Sequence, residues 1–548
     1  MTARLLLIFT VLSVPLTCSA QQSRFTRADR LRGAITPERE WWDLQHYELS
    51  ISVDPEARTL QGSNVVEFKV LKPAARMQID LQKPLEIKNV AHGGDQLKFT
   101  RDGNVYWIDF PAALEVGSTQ KVRIEYGGTP QESKRPPWSG GVTWTKDEKG
   151  HDFIATTCQG IGASIWWPTK DHQYDEPDRG VRINITVPEN LTAVSNGRLT
   201  TTVHDHEAKT KTFRWRVVNP INNYAINMNI GNYVRFNDEF EGEKGKLDIE
   251  YWVLAHQKQT AERHFREAPR TLEAFEHWFG PYPFYEDSYK LVVVPYLGME
   301  HQSSVTYGNG FRNGYRGRDL SKTGVGLKFD FIIVHESGHE WFGNNITSVD
   351  IADMWIHESF TNYSENLFVN YHFTKKEAED YVIGCRDLVG NKASVIGKYG
   401  VNHSGDAGSD MYYKGGNMLH TIRNIIDDDE KWRMILRGLN QQFRHKTVTR
   451  KQIEDYVSDT AGIDIRCMFQ QYLTKAELPV VRYKLDGSRL SYRFEDVVDG
   501  FSVRVRLHVD DKPRWVTPTT KWQSVDLGAE PAKVRLDRNW YMNFEPVE

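Results

Sequence analysis

Two stretches of alternating apolar and polar residues, one at each end of the chain, constrain the fold most strongly. From about residue 41 to 236, apolar side chains recur at every second position, as at residues 47–53 and 224–230. The tail from about residue 478 to 548 repeats this alternation at residues 503–509. A period of two gives a strand one buried and one solvated face. Both ends of the chain are therefore predicted to form β-sheets.

The middle of the chain has a different pattern. A charged, glycine-containing stretch at residues 239–246 marks a predicted boundary, and a helical pattern follows from about Lys258 to Trp278. At roughly 150 residues per domain, 548 residues are too many for one core. We therefore predict a multidomain α+β protein: an N-terminal β-domain at 21–238, an α/β domain at 239–475 and a small C-terminal β-sandwich at 476–548.

The first twenty residues have the pattern of a secretory signal. Arg4 precedes an apolar run from Leu5 to Leu16, and small residues lead to Ala20. We expect a signal peptide at residues 1–20, cleaved after Ala20, and an exported protein that is periplasmic or extracellular. Lipid attachment at Cys18 is an alternative that the preceding residues fit poorly. The run is shorter than the roughly 20 residues of a membrane span, and no later segment predicts one.

Charge and cysteine content narrow the functional classes. A net charge of −4 and a pI of about 6.5 do not predict a nucleic-acid partner or an anionic membrane surface. After Cys18, the cysteines are Cys158, Cys385 and Cys467, and no two of them form a close C-x-x-C pair. A cysteine metal site is therefore not predicted. We expect buried free thiols, with one disulfide as the alternative.

The most informative motif is His-Glu-x-x-His at residues 335–339. It follows an apolar run and is compatible with a helix. On a helix, residues i and i+4 lie one above the other, so His335 and His339 would present their imidazoles to one point. A tetrahedral zinc ion accepts two histidines in this arrangement. Glu336 would lie beside them, within reach of a water molecule at the metal but not placed as a ligand.

The third ligand distinguishes the classes of zinc hydrolase. One class continues the motif with glycine at 342 and histidine at 345, but here these positions hold Phe342 and Asn345. The other solution is a glutamate on a following helix, and Glu358 lies nineteen positions after His339. Two histidines and one carboxylate leave the fourth coordination position open, as a catalytic site requires. We predict one Zn²⁺ per chain, held by His335, His339 and Glu358.

These motifs resemble those of the zinc aminopeptidase family of aminopeptidase N and leukotriene hydrolase, in the gluzincin clan. The zinc signature His-Glu-x-x-His, eighteen residues, then Glu is present. Gly298-Met-Glu-His301 is similar to the exopeptidase motif of the family, and Gly280–Phe284 and His339–Asn344 also match. The resemblance covers residues from about 40 to 480. It implies a thermolysin-like α/β catalytic domain and removal of single residues from peptides with a free N-terminus.

The resemblance also implies roles for individual residues. Glu336 would be the general base, and Tyr412 the donor to the oxyanion, with Tyr413 as the alternative. Glu300 and Gln159 would bind the substrate ammonium, and Gly298 would let the substrate backbone approach closely. Glu365, seven residues after Glu358, would either orient a ligand histidine or be a surface charge.

The sequence departs from the family pattern at several positions. His301 replaces the usual asparagine of the exopeptidase motif, and His357 and Ser359 flank Glu358. We expect these changes to affect substrate preference, and His301 to add pH sensitivity or, as a weaker alternative, to be an extra metal ligand. No large helical C-terminal domain is predicted, which implies a more open cleft. An epoxide hydrolase like the leukotriene enzyme and a non-catalytic binding protein are the alternative functions.

Overall fold

The computed structural model describes residues 25–547. The predicted signal peptide and Cys18 lie outside the described residues. After helices α1 (Arg27–Gly33) and α2 (Pro37–Glu40), residues up to 231 form β-structure. The strands of this region are β1 (Trp42–Asp54), β2 (Thr59–Val70), β3 (Arg76–Asp80), β4 (Glu86–His92), β5 (Asp95–Gln96), β6 (Lys98–Asp102), β7 (Val105–Asp109), β8 (Thr119–Gly128), β9 (Gly141–Lys146), β10 (Asp152–Thr157), β11 (Val181–Pro188), β12 (Thr192–Val194), β13 (Arg198–Asp205), β14 (Thr210–Val217) and β15 (Asn229–Gly231).

These strands form three sheets. The largest has eight strands in the order β13-β14-β11-β1-β2-β8-β4-β5, and β1 pairs in parallel with β11. A four-stranded sheet has the order β12-β15-β10-β9, and a three-stranded sheet the order β3-β7-β6. The predicted alternation is confirmed in β1, where Tyr47, Leu49, Ile51 and Val53 are buried and Glu48 is exposed.

Residues 224–230 do not form the predicted two-sided strand. They begin as a 3-10 turn at Asn223–Ala225 and end in the short strand β15, and both the apolar and the polar side chains are buried. Asn227 donates from its side chain to the backbone oxygen of Ser304 at 3.3 Å. The polar face of this segment is therefore covered by the following domain instead of by solvent.

The middle region begins with a mixed five-stranded sheet in the order β16-β17-β18-β20-β19. Its strands are β16 (Tyr233–Gly242), β17 (Gly245–Leu254), β18 (Tyr289–Val293), β19 (Gly298–Met299) and β20 (Val305–Tyr307). β17, β18 and β20 are parallel. The charged stretch 239–246 forms the turn of the β16–β17 hairpin, so the change from one sheet to the next lies between Gly231 and Tyr233 and not at the predicted position.

Helices make up most of the rest of this region, as predicted. They are α3 (Lys258–His264), α4 (Glu267–Phe279), α5 (Phe331–Gly338), α6 (Trp355–His372), α7 (Lys375–Gly384), α8 (Asp410–Ile426), α9 (Asp429–Gln442), α10 (Arg450–Ala461) and α11 (Arg466–Thr474), with a short parallel pair β21 (Ile346–Ser348) and β22 (Lys446–Val448). The single helix predicted from Lys258 to Trp278 is two helices. Pro269 has no amide hydrogen and fits only the first turn of a helix, so α4 starts afresh at Glu267.

The last region consists of two small sheets, in the orders β27-β24-β23-β29 and β26-β25-β28. Their strands are β23 (Val480–Asp486), β24 (Arg489–Glu495), β25 (Val505–Val509), β26 (Lys512–Val516), β27 (Gln523–Asp526), β28 (Val534–Leu536) and β29 (Asn543–Pro546). This region packs on α8. Arg504 donates to the backbone oxygens of Ile425 and Ile426 at 2.6 and 2.8 Å, and so holds the end of that helix.

The structure bears on the predictions for the cysteines and for membrane-spanning segments. Cys158, Cys385 and Cys467 are free thiols; the first two are buried and the third is half-buried. The expectation of free thiols is confirmed, and the alternative of a disulfide among these three is wrong. Between residues 25 and 547, the structure has no helix with the length and hydropathy that crossing a bilayer requires.

Candidate active site

Helix α5 carries the first histidine of the motif, and a buried aspartate fixes the point where it begins. The Asp330 carboxylate accepts hydrogen bonds from the backbone amides of Ile332 and Ile333, at 2.9 and 3.2 Å. It also bonds three side chains from elsewhere in the domain, which belong to His264, Tyr307 and Asn309. Capping satisfies amides that have no partner within the helix. Asp330 thereby fixes α5 relative to the sheet.

The three predicted metal ligands converge. His335 lies in α5, His339 immediately follows it with a helical backbone, and Glu358 lies in the first turn of α6. Oε2 of Glu358 is 3.9 Å from Nε2 of His335 and 3.3 Å from Nε2 of His339. All three side chains are buried, and one ligand atom from each lies within 4.8 Å of the others.

The surroundings of these side chains fit a divalent metal ion. Nδ1 of His335 is 2.7 Å from Oε1 of Glu365, and Nδ1 of His339 is 2.9 Å from the backbone oxygen of Phe342. These contacts leave both Nε2 atoms directed at the same point. Among the described residues, Oε2 of Glu358 is buried and accepts no hydrogen bond. Leaving a buried carboxylate oxygen unpaired is unfavourable, and two imidazoles with one carboxylate are a donor set that zinc prefers.

Glu365 is buried and not a surface charge. Besides His335, its carboxylate accepts a hydrogen bond from the Tyr381 hydroxyl at 2.6 Å and from the Asn362 amide at 3.2 Å. A carboxylate bonded to the far nitrogen of a histidine fixes the orientation of the ring and the position of its proton. The structure therefore places Glu365 in the orienting position and excludes the alternative of a solvated glutamate.

Glu336 faces the cleft from the same helix, with 8% of its surface exposed. Burial raises its pKa, while the neighbouring charges of His335 and Glu300 act in opposite directions. Gly298 lies against it. A Cβ at Gly298 would stand 2.9 Å from Oε1 of Glu336 and 2.7 Å from Cγ2 of Ile332. Only glycine fits there without displacing the Glu336 carboxylate.

Gln159 and Glu300 meet at one end of the metal site. Nε2 of Gln159 donates to Oε1 of Glu300 at 2.7 Å and to Oε1 of Glu358 at 3.3 Å. Glu300 is 3% exposed. Burial raises the pKa of Glu300, and the charge of His339 opposes that rise. A residue of the N-terminal β-region and a residue of the middle region thus form one acceptor site beside the metal ligands.

Tyr412 and Tyr413 both line the cleft from the first turn of α8. The ring of Tyr412 is 6.0 Å from that of His335. Burial raises the pKa of Tyr412 well above its usual value, and the carboxylates of Glu358 and Glu300 raise it further. The hydroxyl is therefore protonated and can donate. The close approach of α8 to α6 depends on Gly415, where a Cβ would lie 1.8 Å from Oγ of Ser359.

The histidines that depart from the family pattern are structural. Burial lowers the pKa of both His301 and His357 to about 3, so both are neutral. The predicted pH sensitivity of His301 near neutrality is therefore wrong. His357 accepts a hydrogen bond from the backbone amide of Ser348 at 2.8 Å. Within residues 25–547, the groups placed to share a metal are His335–His339–Glu358 and Glu300–Glu336–His339, and His301 belongs to neither.

Two buried acidic residues around the site were not predicted. The first is Asp330, whose position before an apolar run is the signal of a helix cap. The second is Glu340, which accepts a hydrogen bond from the backbone amide of Ser303 at 2.8 Å. It holds the loop that follows Glu300. Burial raises the pKa of Glu340 to about 8. No local pattern distinguishes Glu340 from a solvated glutamate.

The cleft around these residues has a volume of about 460 Å³. It is lined by Pro137, Trp138, Gln159, Leu297, Gly298, Met299, Glu300, Tyr315, Leu320, Phe331, Ile332, His335, Glu336, His339, Glu358, Ser409, Tyr412 and Tyr413. The eight residues to which the sequence analysis gave a metal, catalytic or substrate role all line this cleft. The structure therefore brings these eight residues together.

This arrangement of two histidines, one carboxylate and an adjacent glutamate defines a metallohydrolase site on an α/β domain. The chain belongs to peptidase family M1. Residues 263–472 match the Peptidase family M1 domain and residues 44–224 match the Peptidase M1 N-terminal domain. The family contains zinc enzymes, as the solved structures below show.

Individual relatives are distant. Leukotriene A-4 hydrolase of Xenopus laevis is 22% identical over 82% of this chain and 74% of that protein. Aminopeptidase N of Lactobacillus delbrueckii subsp. lactis is 23% identical, over 82% of this chain and 53% of that protein. Leucyl aminopeptidase of Saccharolobus solfataricus is 23% identical, over 75% of this chain and 51% of that protein. The chain thus spans about half the length of these two aminopeptidases.

Solved structures share the fold. The M1 zinc metallopeptidase of Deinococcus radiodurans superposes with a TM-score of 0.68 at 22% identity, covering 82% of this chain and 97% of that one. A mutant of the same metallopeptidase bound to a Tyr-Ser-Ala substrate gives a TM-score of 0.66 at 21% identity. The match covers 82% of this chain and 98% of that one. At this level of identity, the likeness concerns the fold alone.

Proposed function

We propose that this protein is a zinc aminopeptidase that hydrolyses the N-terminal peptide bond of peptides. One observation carries the proposal: Gln159 and Glu300 are hydrogen-bonded to each other at 2.7 Å, directly beside the metal ligand Glu358. An exopeptidase must hold a free ammonium group at a fixed distance from the metal. The buried carboxylate of Glu300 and the half-buried amide oxygen of Gln159 would supply acceptors for it.

His335, His339 and Glu358 would hold one zinc ion. When bound, zinc supplies a Lewis acid that polarises the scissile carbonyl and acidifies a water molecule. The raised pKa of Glu336 suits a group that takes a proton from that water and returns it to the leaving amine. Tyr412, protonated and facing the same space, would donate to the oxygen on which negative charge develops.

The backbone of the cleft would align the peptide. Gly298 lies in β19, the edge strand of the five-stranded sheet. An edge strand presents unpaired amides and carbonyls to which an extended peptide can pair. The absent side chain at this position would leave room for the substrate backbone beside Glu336.

The proposal also includes a role for the C-terminal region. The two C-terminal sheets share a set of buried residues that includes Phe494, Phe501 and Leu507, and would form a small β-sandwich that supports α8 and hence Tyr412.

Residues 1–20 would direct export to the periplasm or the extracellular space. N-terminal sequencing of the protein recovered outside the cytoplasm checks this, since a start at Met1 would contradict it.

Hydrolysis of aminoacyl p-nitroanilides, with and without a chelator, tests the function. Turnover should be lost on zinc removal and restored by zinc. An N-acetylated peptide with the same first residue should not be cleaved by the wild type. Glu300→Ala should raise KM strongly for the free-amine substrate because it removes the ammonium acceptor. Cleavage of blocked peptides as fast as free ones would contradict an aminopeptidase.

The same preparation separates the alternatives. The match to leukotriene A-4 hydrolase keeps an epoxide hydrolase as the second candidate. A protein with epoxide hydrolase activity alone would convert an aliphatic epoxide to a diol while leaving aminoacyl anilides intact. A protein that binds zinc and peptides but turns over neither substrate would be a binding protein.

A further inference from the structure

The end of the cleft away from Glu300 is aromatic. The ring of Phe331 stacks on His335, with 5.2 Å between centroids and 12° between planes. Tyr315 meets Phe331 edge-on at 5.4 Å. Gln159 and Glu300 close the opposite end, on the Glu358 side. A peptide with its ammonium at Glu300 must therefore extend, beyond the scissile bond, past Phe331 towards Tyr315.

Two arginines from different domains flank this aromatic end. Arg135 lies over the ring of Trp138 at 5.2 Å, and Trp138 lines the cleft with 56% of its surface exposed. Arg316 directly follows Tyr315, and both guanidinium groups are exposed. Burial raises the pKa of Tyr315, and the charges of Arg316 and Arg135 lower it. Both positive charges therefore act on the tyrosine at the end of the cleft.

Neither arginine is neutralised by the protein within residues 25–547. Glu132 pairs with Arg58, and Asp387 pairs with Lys322. Two unpaired guanidiniums next to an aromatic cleft have room for an external anion. Guanidinium binds carboxylate through parallel hydrogen bonds, and an exposed pair of this kind gives modest affinity.

The loop that carries Arg316 is held in place by the same residue that caps α5. The backbone of Arg316 has φ near +54°, a conformation unfavourable for a residue with a side chain. Its amide donates to Oδ1 of Asn309 at 2.8 Å, and Nδ2 of Asn309 donates to Oδ1 of Asp330 at 2.9 Å. A strained turn fixed to the motif helix positions Arg316 relative to the metal site.

We propose that Arg135 and Arg316 bind a carboxylate of the substrate on the leaving-group side of the scissile bond. The enzyme then prefers peptides whose second or third residue is acidic, or ends the chain. This inference rests on the proposed aminopeptidase function. The recognised chemistry is one carboxylate, which comes either from the C-terminus of a short peptide or from an aspartate or glutamate side chain.

The test uses the full chain with zinc and four peptides that share one first residue, Xaa. Xaa-Ala is compared with Xaa-Ala-amide to measure the effect of a terminal carboxylate. Xaa-Asp-amide is compared with Xaa-Asn-amide to measure the effect of a side-chain carboxylate. The Xaa p-nitroanilide, which has no carboxylate, is the reference substrate. In at least one of the two pairs, wild-type kcat/KM should be higher for the substrate that carries the carboxylate.

Arg316→Gln and Arg135→Gln should each lower kcat/KM for that carboxylate substrate about fivefold, mainly through KM, and the double variant about twentyfold. The preference should fall as ionic strength rises. Turnover of the anilide should stay within about twofold. Arg316→Glu should reverse the preference, so that Xaa-Lys-amide becomes better than Xaa-Asp-amide. Arg489→Gln, which removes an exposed charge from β24, is the matched control and should change none of these ratios.

The outcomes are distinguishable. If the wild type has equal kcat/KM for the carboxylate and the amide substrates, the proposed carboxylate binding by Arg135 and Arg316 is wrong. The proposed aminopeptidase function is not affected by that result. Arginine variants that slow the anilide as much as the peptides also overturn it, because that pattern indicates a general effect on the cleft. A wild type that cleaves neither anilide nor peptide with zinc bound overturns the proposed function itself.

Discussion

The two ends of the cleft are built from different kinds of structure. At the ammonium end, Glu300 is 3% exposed, and Gln159 bridges it to a metal ligand. At the leaving-group end, Trp138 is 56% exposed and the charged groups lie on loops. A buried acceptor site discriminates strongly, because a wrong group leaves it unpaired. An exposed rim is screened by solvent and adjusts affinity by small steps. The reaction should therefore depend on the buried end and substrate preference on the exposed one.

The largest effect is expected at Glu336. Glu336→Gln keeps the shape of the side chain but removes the proton acceptor, so kcat should fall by about 10³ to 10⁴. Zinc content, measured by atomic absorption, should stay at the wild-type level because His335, His339 and Glu358 are unchanged. A rate near that of the wild type would mean that the buried end does not supply the base.

The next effect concerns the two adjacent tyrosines. Tyr412→Phe should lower kcat by about 10² with little change in KM, because it removes a donor used only as negative charge develops. Tyr413→Phe is the matched control in the same helical turn, and should change kcat by less than about threefold. If the Tyr413 variant were the slower one, the assignment of the two tyrosines would have to be exchanged.

A smaller effect is expected at Glu365, which contacts the predicted metal ligand His335. Glu365→Gln keeps a hydrogen-bond acceptor for His335 but removes the charge, and should weaken zinc affinity about 10- to 100-fold. Competition with a chromogenic chelator measures this directly. Glu379→Gln, a change at a half-buried position of α7, serves as the control. Unchanged affinity would indicate that the buried charge of Glu365 serves folding and not the metal.

Most of the site could be predicted because its residues lie in short motifs with fixed periodicity. The spacing of His335 and His339 determines their common direction on any helix. The partners of Gln159 could not be derived in this way, since 141 positions separate it from Glu300, and their contact depends on how two domains pack. The resemblance to a known family supplied that pair instead.

The incorrect predictions for residues 224–230 and for His301 have one physical cause. Alternation at residues 224–230 predicts a solvated polar face, but the buried Asn227 bonds to Ser304 of the next domain. His301 was expected to titrate, but burial lowers its pKa to about 3. Both depend on contacts that are distant in sequence, which local patterns do not encode. The boundaries and the environments of residues were therefore less predictable than the existence of the elements.

The last effect concerns stability, at Asp330, which caps α5 and is bonded through Asn309 to the turn of Arg316. Asp330→Ala removes the cap of α5 and leaves the Tyr307 hydroxyl buried without an acceptor, which should cost about 3 kcal/mol. Thr374→Ala removes the exposed cap of α7 and should cost only about 1 kcal/mol. Chemical denaturation followed by tryptophan fluorescence compares the two. Because Asn309 also holds the turn of Arg316, the Asp330 variant should in addition lose part of the preference for carboxylate peptides, while the Thr374 variant keeps it. If the two variants lost stability equally and both kept the preference for carboxylate peptides, Arg316 would be positioned independently of α5.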